Sequence, residues 1–347
     1  MNKARRRRKQ LKILLIVLLV VCILAICAVV AVIILNSKGK SKQYSSDEVA
    51  LFASDEDGAA ETISYDGKEY RLNENLETVL IMGIDDREGQ RFSDGVYYSC
   101  ADFEFLIILD HENNTYTSIQ FDRDSMLRMS ALDEKGNETG KVFQQLCLAH
   151  AYGTGGDDSC LNVANTISDM LGGIEIDHYL SIDYQSLPTL NDSVGGVTVD
   201  IEDDMTSVNE RFVQGTTITL QGEEAEQFVR SRMTIGDGTN VARMRRHRQF
   251  ISGWVTAAKE CISQESGFAL KLFTALNGHM VSDMTASQLN DFTDYFMDYS
   301  DEGIVTFEGE HLETLEEDGI EHTEFYPDES DIQKKVVTLF YVPVSES

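Results

Sequence analysis

Ile13 to Leu35 is a run of 23 residues without a charge, the strongest constraint in this chain. At a helical rise of about 1.5 Å per residue it reaches across the roughly 30 Å hydrocarbon core of a bilayer, which makes it a spanning helix. A cleaved signal peptide has a shorter apolar core and a small-residue cleavage site, whereas this run ends at Asn36 and Ser37. Lys3, Arg5, Arg6, Arg7, Arg8, Lys9 and Lys12 precede it and outnumber Lys38, Lys40 and Lys42 behind it. Positive flanks stay in the cytoplasm, so the expected orientation is N-terminus inside and a single-pass anchor in the cell membrane. The expected division is a basic cytoplasmic tail (1–12), a transmembrane helix (13–35), a polar extracellular spacer (36–75) and an extracellular domain (76–347).

Charge divides the same way. Residues 1–42 hold ten of the 29 basic residues and no acidic one, leaving 19 basic against 59 acidic beyond, a net of −40. A domain that acidic repels nucleic acid, and a polyanion can bind only where cations are locally concentrated. Cys22 and Cys27 lie in the apolar run; Cys100, Cys147, Cys160 and Cys261 lie beyond it, where either disulfides or free thiols are allowed. No HExxH or CxxC is present, which argues against a zinc site. The GTGGDD segment at Gly153–Asp158 lacks the lysine of a phosphate-binding loop and reads as a turn before a helix.

Short apolar runs bounded by polar turns mark strands at Thr78–Ile84, Phe103–Leu109 and Tyr116–Phe121, and again at Tyr179–Ile182, Val197–Ile201 and Thr216–Leu220. Helices are expected at Asp158–Leu171 and Tyr184–Val194, each closed by a Gly-Gly pair, and at Gly222–Arg232, with two glutamates at its start. A longer helix, capped by Asn240, runs to about Cys261 with Val241, Met244, Ile251, Trp254, Val255 and Ala258 on its buried side. The sum is an α/β fold, a sheet covered by helices.

Two constellations carry candidate chemistry. Asp85 follows the first strand, Asp102 precedes the second and Asp124 follows the third. If these strands are neighbours their ends converge, as at ligand sites of open α/β sheets, and paired hard oxygen ligands suit Mg²⁺. Singly, each aspartate reads rather as a turn residue or a helix cap; together they read as a site. The second constellation is Arg230, Arg232, Arg243, Arg245, Arg246 and Arg248, six of the outer domain's 19 positive charges within 19 residues. Guanidinium groups bind phosphate bidentately and stay charged, so this concentration suits a pyrophosphate; a solvated, salt-bridged face is the alternative.

The succession of a basic tail, a membrane helix, VLIMGID, ADF, FDRDSM, KVFQQLCLAHAYG, GGVTVDI, LQGEEAEQFVRSR and NVARMRRHRQF resembles the LytR-CpsA-Psr family. The resemblance implies a central mixed β-sheet covered by helices and enclosing an apolar tunnel for a polyprenyl chain. It further implies Mg²⁺-dependent transfer of a glycopolymer from a polyprenyl-pyrophosphate carrier to peptidoglycan in cell-wall assembly. In that reading Asp85 and Asp102 hold Mg²⁺, and Arg123, Arg230, Arg232 and Arg243 surround the pyrophosphate with Asp124 beside them. Asp124 is the candidate general base, with Asp85 the alternative where the metal does not fully engage it. The partners are the lipid-linked glycopolymer, peptidoglycan and the bilayer.

Four positions depart from the family pattern. Cys100 stands where an arginine usually precedes the Asp102 motif, Asn240 where an aspartate opens the late helix, Ala242 where glycine is usual, and Asp122 where proline is common. The alternative function is therefore a non-catalytic, membrane-anchored binder of polyprenyl lipid or wall polymer.

Overall fold

The computed structural model describes residues 58–344 apart from 92–96, 233, 234, 237, 266 and 316–320. These belong to one unit, Val49–Ser347. The expected tail and spanning helix lie outside the described residues, and among the described helices none is long and apolar enough to cross a membrane.

In chain order the first half comprises β1 (Thr62–Tyr65), β2 (Lys68–Leu72), β3 (Leu76–Arg91), β4 (Tyr97–Asp110), β5 (Thr115–Gln120), β6 (Met126–Leu132), β7 (Glu138–Gln145), α1 (Leu148–Ala151), α2 (Asp157–Met170) and β8 (His178–Asp183). A 3₁₀ turn at Tyr184–Ser186 leads into α3 (Leu187–Ser193), followed by β9 (Thr198–Asp200), β10 (Thr217–Thr219), α4 (Glu224–Arg230), α5 (Asn240–Gln264) and α6 (Phe268–Ala275). The chain ends with β11 (Met280–Ser282), α7 (Ala286–Asp298), β12 (Ser300–Val305), β13 (Gly309–Leu315), β14 (Glu321–Pro327), α8 (Glu329–Phe340) and β15 (Tyr341–Pro343).

The central sheet has six strands in the order β11-β8-β3-β4-β5-β12. It is mixed: β8 runs parallel to β3 and β12 to β5, while β3, β4 and β5 form an antiparallel meander. Near-continuous apolar runs such as TVLIMGI are what a sheet covered on both faces requires. Leu80, Met82, Leu106, Ile108 and Ile119 pack on one face with Val163, Ile167 and Met170 of α2 and Ile332, Val336 and Phe340 of α8. Phe105, Ile107, Leu109 and Tyr116 pack on the other with Phe292, Tyr295 and Phe296 of α7, the period-two alternation of a strand. A third cluster joins β9 and β10 to α3, α4 and α5 through Val197, Val199, Leu220, Phe228 and Phe250.

The second sheet face is not packed solid. A cavity of about 580 Å³ lies between Ile81, Phe103, Phe105 and Ile107 of the sheet and Phe250, Trp254, Val255 and Ala258 of α5, with Phe268 and Leu272 of α6 and Phe292 of α7 beyond. Its wall is apolar, with Lys259 and Asp301 among the few charged members.

Several expectations change. The strands carrying Asp85 and Asp102 extend past both residues, so these aspartates lie inside a long β3–β4 hairpin rather than just beyond a strand end. A register shift between Gly83 and Ile84 offsets the two strands there and places Asp85 opposite Cys100. Within the span expected as spacer, β1 and β2 pair with each other and β2 pairs with β15, so folded structure begins before residue 76. Thr239, not Asn240, caps α5 by accepting from the Ala242 N–H, which frees the Asn240 amide for other work. Val241 is exposed rather than buried. Cys100, Cys147, Cys160 and Cys261 are free thiols.

The GTGGDD segment is a turn at the start of α2. Thr154 donates its N–H to Asp158 Oδ2 at 2.8 Å, and Gly155 donates its own to Ser159 Oγ at 2.8 Å. A Cβ on Gly153 would lie 2.7 Å from the Ser159 Cα, so only glycine fits that approach.

Candidate active site

Asp102, Arg123, Asp124, Arg232 and Arg243 form one connected cluster, drawn from β4, the turn after β5, the segment after α4, and α5. Arg123 Nε is 2.9 Å from Asp102 Oδ1, though its N–H is not aimed at that oxygen, and Nη1 is 3.3 Å from Asp124 Oδ1. Its Nη2 donates to Cys147 Sγ at 2.7 Å. Arg243 Nη1 donates to Asp102 Oδ2 at 2.9 Å, and its Nε and Nη2 both donate to Asn240 Oδ1. Arg232 Nη2 lies 3.6 Å from Asp124 Oδ2. On the other hairpin strand, Asp85 Oδ1 accepts from Arg230 Nη2 at 2.6 Å, and Arg230 Nη1 donates to Glu226 at 2.9 Å.

The two aspartates beside Arg123 are pushed in opposite directions. Burial disfavours the charge on Asp102, but Arg123 and Arg243 outweigh it and hold the carboxyl below the usual range. At Asp124 burial wins over the more distant Arg123, so its carboxyl is lifted, and Oδ2 has no hydrogen-bond donor. Neighbouring carboxyls with opposed shifts are how acid–base roles become separated within one site. Glu104, two residues along β4 from Asp102, is fully buried without a side-chain partner, and burial pushes its carboxyl well up.

Of the four arginines between 243 and 248, Arg243 is the one placed in the cluster. Arg245 pairs with Glu202 and Asp203 at the surface, Arg246 donates to the Phe228 and Ser231 carbonyls, and Arg248 donates to Gln120. The dense run thus splits into one site residue and three that tie α5 to its neighbours.

Two sequence departures meet in space. Asn240 Nδ2 donates to Asp122 Oδ1 at 2.7 Å, while Asn240 Oδ1 accepts from Arg243, which fixes the amide orientation. Asp122 also accepts the Asp124 N–H and pairs with His311 Nε2 of β13 at 2.9 Å. The Asp122 carboxylate thus stands behind the Asn240 amide, one side chain away from Arg243. His311, its pKa raised foremost by that bond to Asp122, brings the β13–β14 hairpin onto the site, where Phe325 donates its N–H to the Asp124 carbonyl.

Sequence reasoning brought together Asp85, Asp102, Arg123, Asp124, Arg230, Arg232 and Arg243, and missed the supporting set. Glu226 was legible from its i,i+4 spacing to Arg230. Asp122 and Asn240 were visible only as departures. Cys147 and His311 carried no local signal, because their place depends on packing between distant segments.

The cavity abuts this cluster. Its wall includes Gly83, Phe103 and His247, which are two residues, one residue and one helical turn from Asp85, Asp102 and Arg243. His247 is buried, donates from Nε2 to the Val229 carbonyl at 3.1 Å, and burial lowers its pKa to about 3, so it is neutral. Asp85 and Asp102 offer hard oxygen donors on adjacent strands, a donor set that fits a small divalent cation completed by water and phosphate oxygens. Among the described residues no third His, Cys, Asp or Glu joins them as a ligand group.

The comparisons with known proteins agree with this architecture. Biofilm regulatory protein A of Streptococcus mutans is 29% identical over 54% of this chain and 45% of its own length. The polyisoprenyl-teichoic acid–peptidoglycan teichoic acid transferase TagU of Bacillus subtilis is 24% identical over 63% of each chain. The matches thus span from under half to just under two thirds of these relatives. The crystal structure of B. subtilis TagV superimposes with a TM-score of 0.57 at 21% identity, covering 77% of this chain and 97% of that one, a likeness of fold. The model of the LytR_cpsA_psr family matches residues 35–336, and the chain belongs to that family.

Proposed function

We propose that this protein is a Mg²⁺-dependent phosphotransferase that moves a glycopolymer from a polyprenyl-pyrophosphate carrier to peptidoglycan. The observation that carries the reading is the apolar cavity adjoining the arginine–carboxylate cluster, two surfaces that match the two halves of a lipid pyrophosphate. Family membership and the donor and acceptor in the name of TagU support it. Residues 13–35 would anchor the domain on the extracellular side, presenting the membrane-held substrate at high local concentration.

The prenyl chain occupies the cavity and the pyrophosphate faces Arg123, Arg230, Arg232 and Arg243. An acceptor hydroxyl attacks the phosphorus that bears the glycopolymer. The new O–P bond forms as the bond to the lipid phosphate breaks, and polyprenyl phosphate leaves. Asp124 takes the hydroxyl proton: its lifted pKa and an Oδ2 that accepts no hydrogen bond suit a base. The arginines stabilise charge on the phosphoryl oxygens, the main source of acceleration in phosphoryl transfer.

Charge balance bears on the metal. Among the described residues the four guanidiniums contact four carboxylates, Asp85, Asp102, Asp124 and Glu226, four positive charges against four negative. Mg²⁺ held by Asp85 and Asp102 would supply the two positive charges that match a pyrophosphate diester, together with Lewis-acid contact to its oxygens.

Calorimetry with a polyprenyl-pyrophosphate ligand tests both halves. Asp85→Asn should lower Mg²⁺ affinity in the presence of the lipid by about tenfold or more, as loss of a ligand carboxylate does. An unchanged affinity removes the metal role from Asp85. Val255→Trp should fill part of the cavity: displacing about 60 Å² of lipid contact at about 25 cal/mol per Å² weakens lipid binding roughly tenfold. It should leave binding of a short, water-soluble pyrophosphate analogue unaltered; equal affinity for the long-chain lipid would place the chain elsewhere.

A further inference from the structure

Tyr184 stands at the seam between cavity and cluster. It opens the 3₁₀ turn after β8, is 4% exposed, and lines the cavity. Its ring is fitted closely: a Cβ on Gly83 would lie 3.0 Å from Tyr184 Cε1 and 3.0 Å from the Phe103 Cβ, so glycine at 83 leaves the room this ring fills. Its hydroxyl, by contrast, is buried with no hydrogen-bond partner among the described residues. An unmade hydrogen bond of this kind disfavours folding, and phenylalanine would fill the same space without that cost. A buried hydroxyl left open at the border of an apolar cavity and an arginine cluster is matched to a ligand that is apolar on one side and anionic on the other.

We propose that the Tyr184 hydroxyl is a substrate-binding group that donates a hydrogen bond to an oxygen of the lipid-side phosphate, where the prenyl chain joins the pyrophosphate. This rests on the transfer reading above and deepens it by assigning the recognition of the leaving group. Burial, with the nearby Asp102 charge, holds the phenol well above its ordinary pKa, so it is a neutral donor throughout the physiological range. In the transfer step the bond to the lipid phosphate breaks and negative charge grows on that phosphate. A donor held there by the close approach of its ring to Gly83 gains strength as the charge develops, so its effect falls on turnover as well as on binding. Recognition of a phosphate at the mouth of the prenyl cavity also discriminates polyprenyl phosphates from free prenols.

The test compares full-length wild type with Tyr184→Phe in detergent, using two probes that need no transfer, polyprenyl monophosphate and the corresponding prenol, alongside thermal unfolding. The expected result is a melting temperature equal to or above wild type, monophosphate affinity lower by about tenfold to a hundredfold, the scale of a hydrogen bond to a charged group, and unchanged prenol affinity. Unchanged monophosphate affinity overturns the proposal. So does an equal loss for both probes, which would assign the effect to the packing of the ring. Because neither probe is a transfer substrate, absence of transfer in the wild type would count against the enzymatic reading and leave this result to stand by itself.

Discussion

Arg243→Ala should destabilise the fold by about 3 to 5 kcal/mol and abolish measurable binding of a polyprenyl-pyrophosphate ligand, a magnitude set by breaking a buried ion pair from one side. Arg243 is 4% exposed and uses three nitrogens at once. Nη1 holds Asp102, while Nε and Nη2 hold Asn240, which in turn holds Asp122. Without it Asp102 keeps only Arg123, whose Nε–H is not directed at the carboxylate, and Asn240 Oδ1 loses both donors. Arg243→Lys would retain the charge but not the fork, and should recover only part of the stability. Arg245→Ala on the same helix is the control. Its pairs with Glu202 and Asp203 are at the surface, so the change should cost less than about 1 kcal/mol and leave binding intact. Equal, small effects at 243 and 245 in urea titrations would reduce the arginine run to a solvated face.

Asp124→Asn should leave the protein at least as stable as wild type at pH 7 and lower the transfer rate by about two to four orders of magnitude, the range for loss of a general base. Stability and activity part here for an electrostatic reason. Burial lifts the folded-state pKa of Asp124 above its unfolded value. Ionisation then occurs first in the unfolded chain, so this group's contribution falls as pH rises from the unfolded pKa through the folded one. Asparagine removes that loss and also the proton acceptor. The wild-type rate should therefore rise with pH as Asp124 deprotonates, over a range above that of an ordinary carboxylate, and the asparagine variant should lack this limb. A wild-type-like pH profile in Asp124→Asn would move the base elsewhere.

The parts of this fold legible in the sequence were those built on periodic burial. TVLIMGI, FEFLIIL and YTSIQF became the centre of the sheet because both faces are covered, and the Gly-Gly pairs after Leu171 and Val194 did close helices. The β6–β7 and β13–β14 hairpins were not legible. Their strands, such as ETGKVFQQ and GEHLETL, are polar and partly exposed, and their pairing is decided by docking rather than by a local pattern. The choice between Thr239 and Asn240 as cap was undecidable locally, since both residue types cap well. The structure resolves it because the Asn240 amide is engaged by Asp122 and Arg243. At the site, motif spacing brought the aspartates and arginines together. It did not reveal that Arg123, Arg230, Arg232 and Arg243 each already contact a carboxylate, nor that the Tyr184 hydroxyl is buried in the cavity wall without a partner, since both follow from side-chain packing across distant segments.

The most direct test of the central claim supplies purified full-length protein with Mg²⁺, peptidoglycan fragments and a polyprenyl-pyrophosphate-linked glycopolymer labelled in the sugar. Label should appear in peptidoglycan with equimolar release of polyprenyl phosphate, dependent on Mg²⁺ and on Asp124. Tight lipid binding with no label transferred, and transfer appearing only when Cys100→Arg restores the usual arginine, would contradict it and make the protein a binder on a transferase fold.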